Sequence, residues 1–190
     1  SMSTIKVNQI QDTSTNVAAN ISGGVVNFTN PPINVGVSNL QFFRVTSNVT
    51  STTSATTLTS YVDGHDTTLF KRIGTAWSNS SGVFTPSASG MYEITFIASM
   101  QATANTNWIE IDFQYSTDSG SNFTTEDMYD QMSAFGTTYA HRNFVRYYNI
   151  ANPSTFRLRF RFAAINTNVT LRGGANHKSG VLFKRLADAQ

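Results

Sequence analysis

The side chains in this 190-residue chain best placed to do chemistry are carboxylates. Glu126-Asp127 and Asp130, grouped around Tyr129, offer the two acids that glycoside cleavage needs, one to donate a proton and one to act opposite it. The stretch around them reads as a loop, so nothing fixes their separation, and a solvated rim explains them better. Glu110 and Asp112 stand two apart and face one way on a strand, where arginine partners account for them. Asp118-Ser119-Gly120-Ser121-Asn122 sets oxygens at alternate positions like a calcium loop, but lacks that loop's glycine placement and closing glutamate. It reads as a hairpin turn. His65, His141 and His177 are scattered and lack ligand spacing. With no cysteine in the chain, thiol nucleophiles, disulfides and Cys-ligated zinc are excluded. No catalytic residue, metal or cofactor is expected.

Charged residues make up only 13% of the chain, and Ser, Thr and Asn supply the remaining polarity. The net charge is +2. Residues 1–130 hold 4 basic and 10 acidic side chains, and residues 131–190 hold 9 basic and 1 acidic. A basic half raises the question of nucleic acid. Arg157, Arg159, Arg161, Arg172, Lys184 and Arg185 are the candidates, but alternation sends the neighbouring aromatics to the opposite face, as in a core and unlike a stacking platform. Pairing between late and early strands explains the charges better, so nucleic acid is not expected as a partner. Ser1-Met2 reads as an expression remnant ahead of the natural start. No apolar run behind it resembles a signal peptide or spans a bilayer, so synthesis in a cytoplasm without membrane insertion is expected.

The elements that would position these groups are strands. Phe156–Phe162 alternates aromatic or Leu with Arg, and Trp108–Tyr115 puts Ile109, Ile111, Phe113 and Tyr115 on one face against Glu110 and Asp112 on the other. As antiparallel neighbours they would form a ladder of arginines facing carboxylates. Further strands are expected at Gln41–Thr46, Thr68–Ile73, Gly82–Thr85, Met91–Met100, Phe144–Ile150, Asn168–Leu171 and Val181–Leu186. Turn signals stand at Asp63-Gly64, Ser119-Gly120, Asn152-Pro153 and Gly173-Gly174. Thr125 to Phe135 has room for one helical turn at most. Residues 1–38 are too thin in apolar surface to fold alone and read as an extended stalk or docking segment; residues 39–190 read as a β-sandwich head.

Gly82-Val83-Phe84-Thr85-Pro86-Ser87-Ala88-Ser89-Gly90-Met91-Tyr92-Glu93-Ile94 resembles the G-x-F-x-x-x-x-x-G-x-Y-x-F signature of the jelly-roll heads shared by complement recognition proteins and tumour necrosis factor. Ile94 replaces the last aromatic. Ser179-Gly180-Val181-Leu182-Phe183 is loosely similar to that family's closing strand. The resemblance covers about three quarters of the chain and implies an all-β, ten-strand jelly-roll sandwich that assembles as a homotrimer. It also implies that the inner sheet lies against the threefold axis. Alternation along Met91–Met100 then assigns Glu93, Thr95 and Ile97, with one face of Phe144–Ile150, to the interface and Tyr92, Ile94 and Phe96 to the core; with the register reversed the two sets exchange roles. There is no Gly-X-Y stalk. The segment Thr4–Asp12, with Gly24–Pro32, is instead similar to the leader of bacteriophage tail-fibre and virion-appendage proteins.

Together these likenesses imply a non-enzymatic phage fibre or appendage tip in the virion, docked to other virion proteins through its N-terminal segment. Its expected partner is a host-surface receptor such as a glycan. Candidate ligand residues are Trp77 and Asn79, Tyr129 and Asp130, Tyr139 and His141, and Asn176 and His177. Two other readings stand beside this one: a purely structural decoration or fibre-cap protein, and a carbohydrate-active enzyme with an intersubunit site.

Overall fold

The computed structural model describes residues 9–11, 17–22, 25–28, 37, 39–64, 72–74, 77–103, 106–134, 138–164, 168–175 and 179–190. Backbone contacts divide the chain into two units, Ser1–Gly36 and Val37–Gln190. In the first, β1 (Gln9–Gln11), β2 (Val17–Ser22) and β3 (Val25–Phe28) form a small antiparallel sheet in that order.

The second unit begins with β4 (Asn39–Val45), β5 (Val49–Thr50), β6 (Thr56–Thr57), β7 (Tyr61–Asp63), β8 (Trp77–Ser80) and β9 (Val83–Pro86). Then come the long strands β10 (Gly90–Ala102), β11 (Thr106–Ser116), β12 (Thr124–Ala134), β13 (Thr138–Ile150) and β14 (Arg157–Ala164). The described strands end with β15 (Val169–Leu171) and β16 (Gly180–Ala187). In the first sheet β10 is central. One of its edges pairs along its whole length with β13, and the other is shared between β16 and β15, which lead on to β4 and β7 and to β5. The second sheet runs β12-β11-β14-β9-β8, with β6 also on β14. The unit is the all-β two-sheet sandwich expected, with short pieces such as β5 and β6 added to the long strands.

Alternation builds the core. β10 sends Tyr92, Ile94 and Phe96 inward with no exposed surface, β11 sends Ile109, Ile111 and Phe113, and β14 sends Leu158, Phe160 and Phe162. The Phe160 ring meets Phe84, Phe96 and Phe113 with centroids 5.7, 5.2 and 4.9 Å apart, joining both sheets. Such edge-on and tilted aromatic contacts add about 0.5–1.5 kcal/mol each beyond the area they bury.

The Gly-Phe-Gly-Tyr stretch is legible as mechanism. Ser81 and Gly82 both have positive φ (49° and 82°) in the two-residue turn between β8 and β9, the backbone that a tight hairpin requires. A Cβ on Gly82 would stand 2.2 Å from the Leu58 carbonyl oxygen. Phe84 is wholly buried, and the Tyr92 hydroxyl donates to the Ala88 carbonyl at 3.0 Å.

Three expectations need correction. Thr124–Ala134 is an eleven-residue strand rather than a loop with a helical turn, paired with β11 nearly throughout. Trp77 and Asn79 lie on β8 rather than in a loop. The charge ladder has one ionic rung: Arg161 faces Asp112, but Arg159 faces Gln114 and Ala163 faces Glu110. The strand expected at Thr68–Ile73 lies mostly outside the described residues; Ile73 itself bridges to Leu40.

Phe160→Ala is expected to lower unfolding free energy by about 3–5 kcal/mol in urea titration, the range for emptying a buried aromatic position. Gly82→Ala should lose at least about 1–2 kcal/mol from its left-handed backbone alone, and more from the Leu58 carbonyl.

Candidate functional site

Because both sheets turn alternate residues inward, the chemistry available to a partner lies on the two outward faces. The second sheet's outward face is built in rungs across β12, β11 and β14: Thr125–Gln114–Arg159, Asp127–Asp112–Arg161, and Tyr129–Glu110–Ala163. In the first rung Arg159 Nε donates to Gln114 Oε1 at 2.7 Å, and Gln114 Nε2 donates to Thr125 Oγ1 at 2.7 Å. The Arg159 guanidinium lies 3.9 Å over the Phe123 ring. In the second, Arg161 Nη2 forms an ion pair with Asp112 Oδ2, although Asp112 is wholly buried. The third has no cation. Burial, a hydrogen bond with Asp112 and the charges of Asp112 and Asp127 push the Glu110 carboxyl up to about 8, against the opposing pull of Arg161.

Glu126, one of the candidate acids, is turned toward the edge where the sheets meet. Its Oε2 accepts from the Tyr148 hydroxyl at 2.7 Å and lies 3.5 Å from Arg146 Nε. Burial and the Glu126 hydrogen bond raise the Tyr148 phenol above its ordinary range. Asp127 stands opposite Asp112, whereas the register position of Asp130 is opposite the core residue Ile109. Glu126, Asp127 and Asp130 therefore do not form one two-carboxylate site across a sugar.

Asp118 closes the β11–β12 turn. Its carboxylate accepts from Ser116 Oγ at 2.6 Å, Asn122 N at 2.9 Å and Asn122 Nδ2 at 2.7 Å. The Ser116 and Asn122 hydrogen bonds hold it down to about 2. Both carboxylate oxygens already serve protein donors, as a hairpin cap should.

The first sheet's outward face is less polar. Opposed residues in an antiparallel pair share a face, so Glu93, Thr95 and Ile97 lie beside Tyr147, Val145 and Asn143 of β13 and beside Lys184, Leu182 and Gly180 of β16. Phe42 opposes Leu182, and its ring comes so near Gly180 that a Cβ there would sit 2.5 Å from it. The Tyr147 hydroxyl donates to Glu93 Oε2 at 3.2 Å.

Among the described residues, the sequence-derived ligand candidates on β8 and β13 do not gather at one tip. Trp77 is a core residue, 3% exposed and stacked on Phe183 at 4.2 Å, so its ring does not face solvent. Asn79 is half-buried on the same strand. Tyr139, 57% exposed, and His141 stand opposite Gln101 and Ser99 on the first sheet's outward face, in line with Thr95 and Ile97, and the Arg172 guanidinium lies 4.8 Å from the Tyr139 ring. Tyr129 and Asp130 are on β12, and only their backbone is described; Asn176, His177 and His65 lie outside the described residues. The Glu110–Asp112–Asp127 grouping was missed. Its signal was the Arg alternation, which stops at Ala163 one rung short of Glu110.

A cleft of about 200 Å³ opens between β4 and the β6 segment. Val45, Val49 and Leu58 line it with the hydroxyl residues Ser47, Thr57 and Ser60. It has no charged lining residue and is smaller than the roughly 300 Å³ at which ligand pockets begin.

Two predictions follow from these faces. Arg161→Met strands a buried carboxylate and should lower stability by about 3 kcal/mol in denaturant titration at neutral pH; adding Asp112→Asn should recover most of that loss. Asp118 has a folded-state value below its unfolded one, so its contribution is present above about pH 4 and is lost as the pH falls toward 2. Acid titration of Asp118→Ala should lack that step.

No protein-family model matches this chain, and no curated protein does. Solved structures do. Murine APRIL aligns with a TM-score of 0.52 and 11% identity over 78% of this chain and 98% of its own. Eiger TNF from S. frugiperda aligns with 0.52 and 12% over 80% and 94%. The PRD1 vertex protein P5 aligns more loosely, with 0.46 and 14% over 82% and 99%. At such identities the likeness is one of fold: the sandwich is a jelly roll of tumour-necrosis-factor type.

Proposed function

We propose that this chain is a non-enzymatic phage fibre or virion-appendage head, trimeric through the outward face of its first sheet, that attaches to a host surface. One observation carries the reading. Of the exposed large hydrophobic residues among those described, Val62, Ile73, Tyr139 and Tyr147 all occupy outward positions of that single sheet. Thr95, Ile97, Val145 and Leu182 connect them across three strands. Exposed apolar side chains collected on one sheet face suit an association surface, and closed symmetry is the ordinary way for identical chains to cover one. The partners along it would include the interface residues expected from sequence, Glu93, Thr95 and Ile97.

In this reading residues 1–38 join the head to the fibre or to another virion protein, and residues 39–190 present the binding surface. The protein is made in the host cytoplasm and works in the virion. The ligand is a host-envelope component such as a glycan, contacted by residues away from the threefold axis, with Asn176, His177, Tyr129 and Asp130 the candidates. Hydrolysis of that ligand is not part of the reading, because Glu126 and Asp127 turn to different surroundings.

Sedimentation equilibrium tests the assembly. A species of about three times the 20.8 kDa chain mass is expected across a wide concentration range. Thr95→Arg with Val145→Arg should convert it to folded monomer, since like charges would face each other across the axis. A wild-type chain that stays monomeric overturns the trimer. Binding of the labelled trimer to bacterial envelopes, lost on Asn176→Ala with His177→Ala while the mass is unchanged, supports attachment; a trimer that binds no envelope leaves the decoration role.

A further inference from the structure

At the end of the second sheet's outward face farthest from Glu110, two arginines have no acid to hold. The outward residues of β14 there are Arg157, Arg159 and Arg161. Arg161 is paired with Asp112, but the residue opposite Arg159 is Gln114 and the residue opposite Arg157 is Ser116. Neither Arg157 nor Arg159 forms an ion pair among the described residues. Asp118, in the adjoining β11–β12 turn, is spent on Ser116 and Asn122. Alternate residues of a strand stand about 6.5–7 Å apart, so the two half-buried side chains rise side by side.

Neutral partners hold both side chains in place. Arg159 donates through Nε to Gln114 Oε1 at 2.7 Å, and Gln114, only 4% exposed, is itself fixed by its 2.7 Å donation to Thr125 Oγ1. The Phe123 ring, with its centroid 3.9 Å from the guanidinium carbon, backs the same group. Nε is therefore taken and one face is covered, while the two terminal nitrogens keep their donors for an acceptor from outside. Arg157 is tethered from the other side: its Nη1 donates to the carbonyls of Ser154 at 3.0 Å and Phe156 at 2.7 Å. A solvated arginine needs no buried amide to aim it. Burial and the Arg161 charge both lower the Arg159 guanidinium from its ordinary value, the direction that a bound anion would reverse.

We propose that Arg157 and Arg159 form a binding site for acidic saccharides, in which the fork of Arg159 takes a sugar carboxylate. A planar guanidinium matches a planar carboxylate through two parallel hydrogen bonds, and an arginine already held in place loses little freedom in making them. The exposed residues bordering the pair are Asn122, Thr125 and Ser154. Their amides and hydroxyls suit the hydroxyl groups of a sugar better than the side chains of an acidic peptide. The site lies on the sheet opposite the proposed trimer face, so assembly through that face leaves it open. That the saccharide belongs to a host envelope rests on the attachment reading above; the affinity for a sugar acid does not.

The test uses the whole chain with oligogalacturonate, a saccharide bearing carboxylates, and with its methyl ester, which keeps the sugars and removes the charge. Calorimetry should show binding of the acid and none of the ester. Arg157→Gln with Arg159→Gln changes two outward side chains and should keep the fold, checked by circular dichroism. It should weaken binding at least about tenfold, the least expected from losing charge-assisted hydrogen bonds. Arg159→Lys keeps the charge and should also lose about tenfold, because the fork is gone. A wild-type chain that does not bind the acid overturns the site. So does an Arg159→Lys variant that binds as the wild type does, or equal affinity for polyglutamate, since either would mean charge attraction alone. Envelope binding separates this site from the attachment reading. Binding that survives in the double glutamine variant overturns the envelope role of these arginines and leaves attachment standing. A chain that takes the sugar acid but no envelope supports the site and overturns attachment.

Discussion

The contact of Phe160 with Phe84, Phe96 and Phe113 is the constraint on which the rest of the head depends. It joins β14, β9, β10 and β11, strands from both sheets, at a point with no solvent access. Phe183 extends the seam, stacking on Trp77 at 4.2 Å and meeting Phe84 at 5.1 Å. Because side chains alternate along a strand, holding Phe160 inward forces Arg159 and Arg161 outward, and holding Phe96 inward forces Thr95 and Ile97 outward. A one-residue slip would drive arginines into the aromatic seam, so register is strongly specified. Both outward faces are consequences of that packing.

The two faces then diverge in chemistry. On the first sheet the outward positions of β4, β10, β13 and β16 include Leu40, Phe42, Thr95, Ile97, Val145 and Leu182, interspersed with the polar residues Arg44, Glu93, Asn143, Lys184 and Tyr147. The second sheet carries acids, amides and arginines that satisfy one another across strands, down to the rung where the arginines run out. Pairing between strands also answers part of the uneven charge of the two halves of the chain. Arg161 with Asp112 and Arg146 with Glu126 each join a residue beyond 130 to one before it.

Much of this was legible because the long strands carry strict alternation with large residues. Phe156–Phe162 and Trp108–Tyr115 announced themselves, and the pairing of β11 with β14 is as their charges suggested. The core assignment of Tyr92, Ile94 and Phe96 rested on the same signal. β12 was hidden for a physical reason: as an edge strand it pairs on one side only, and its outward positions hold Thr125 and Asp127, while Glu126 on the other side is polar too and Met128 is only partly buried. Pattern reading sees no period when both faces are polar. Trp77 misled in the opposite sense. A tryptophan among Ser and Asn reads as exposed, yet in β8 it is the one large residue available to fill the seam beside Phe183. The rung at Glu110 needed the register itself, since whether an arginine or Ala163 faces it depends on the alignment of two strands far apart in sequence.

The distribution of candidate ligand residues carries a last constraint on where binding can occur. Tyr139 and His141 sit on β13 where β10 has left β16 and pairs with β15, beyond the Leu182–Val145 stretch. Arg172 lies over the Tyr139 ring, which stays more than half exposed. That end of the sheet is polar where its middle is apolar. A face divided in this way can serve two purposes only if they are separated along the strand, with chains meeting over Thr95 and Val145 and small polar ligands confined to the Tyr139 end. A ligand bound over the apolar middle would compete with a second chain for the same surface, so a ligand on this face is compatible with assembly only toward the Tyr139 end of β13.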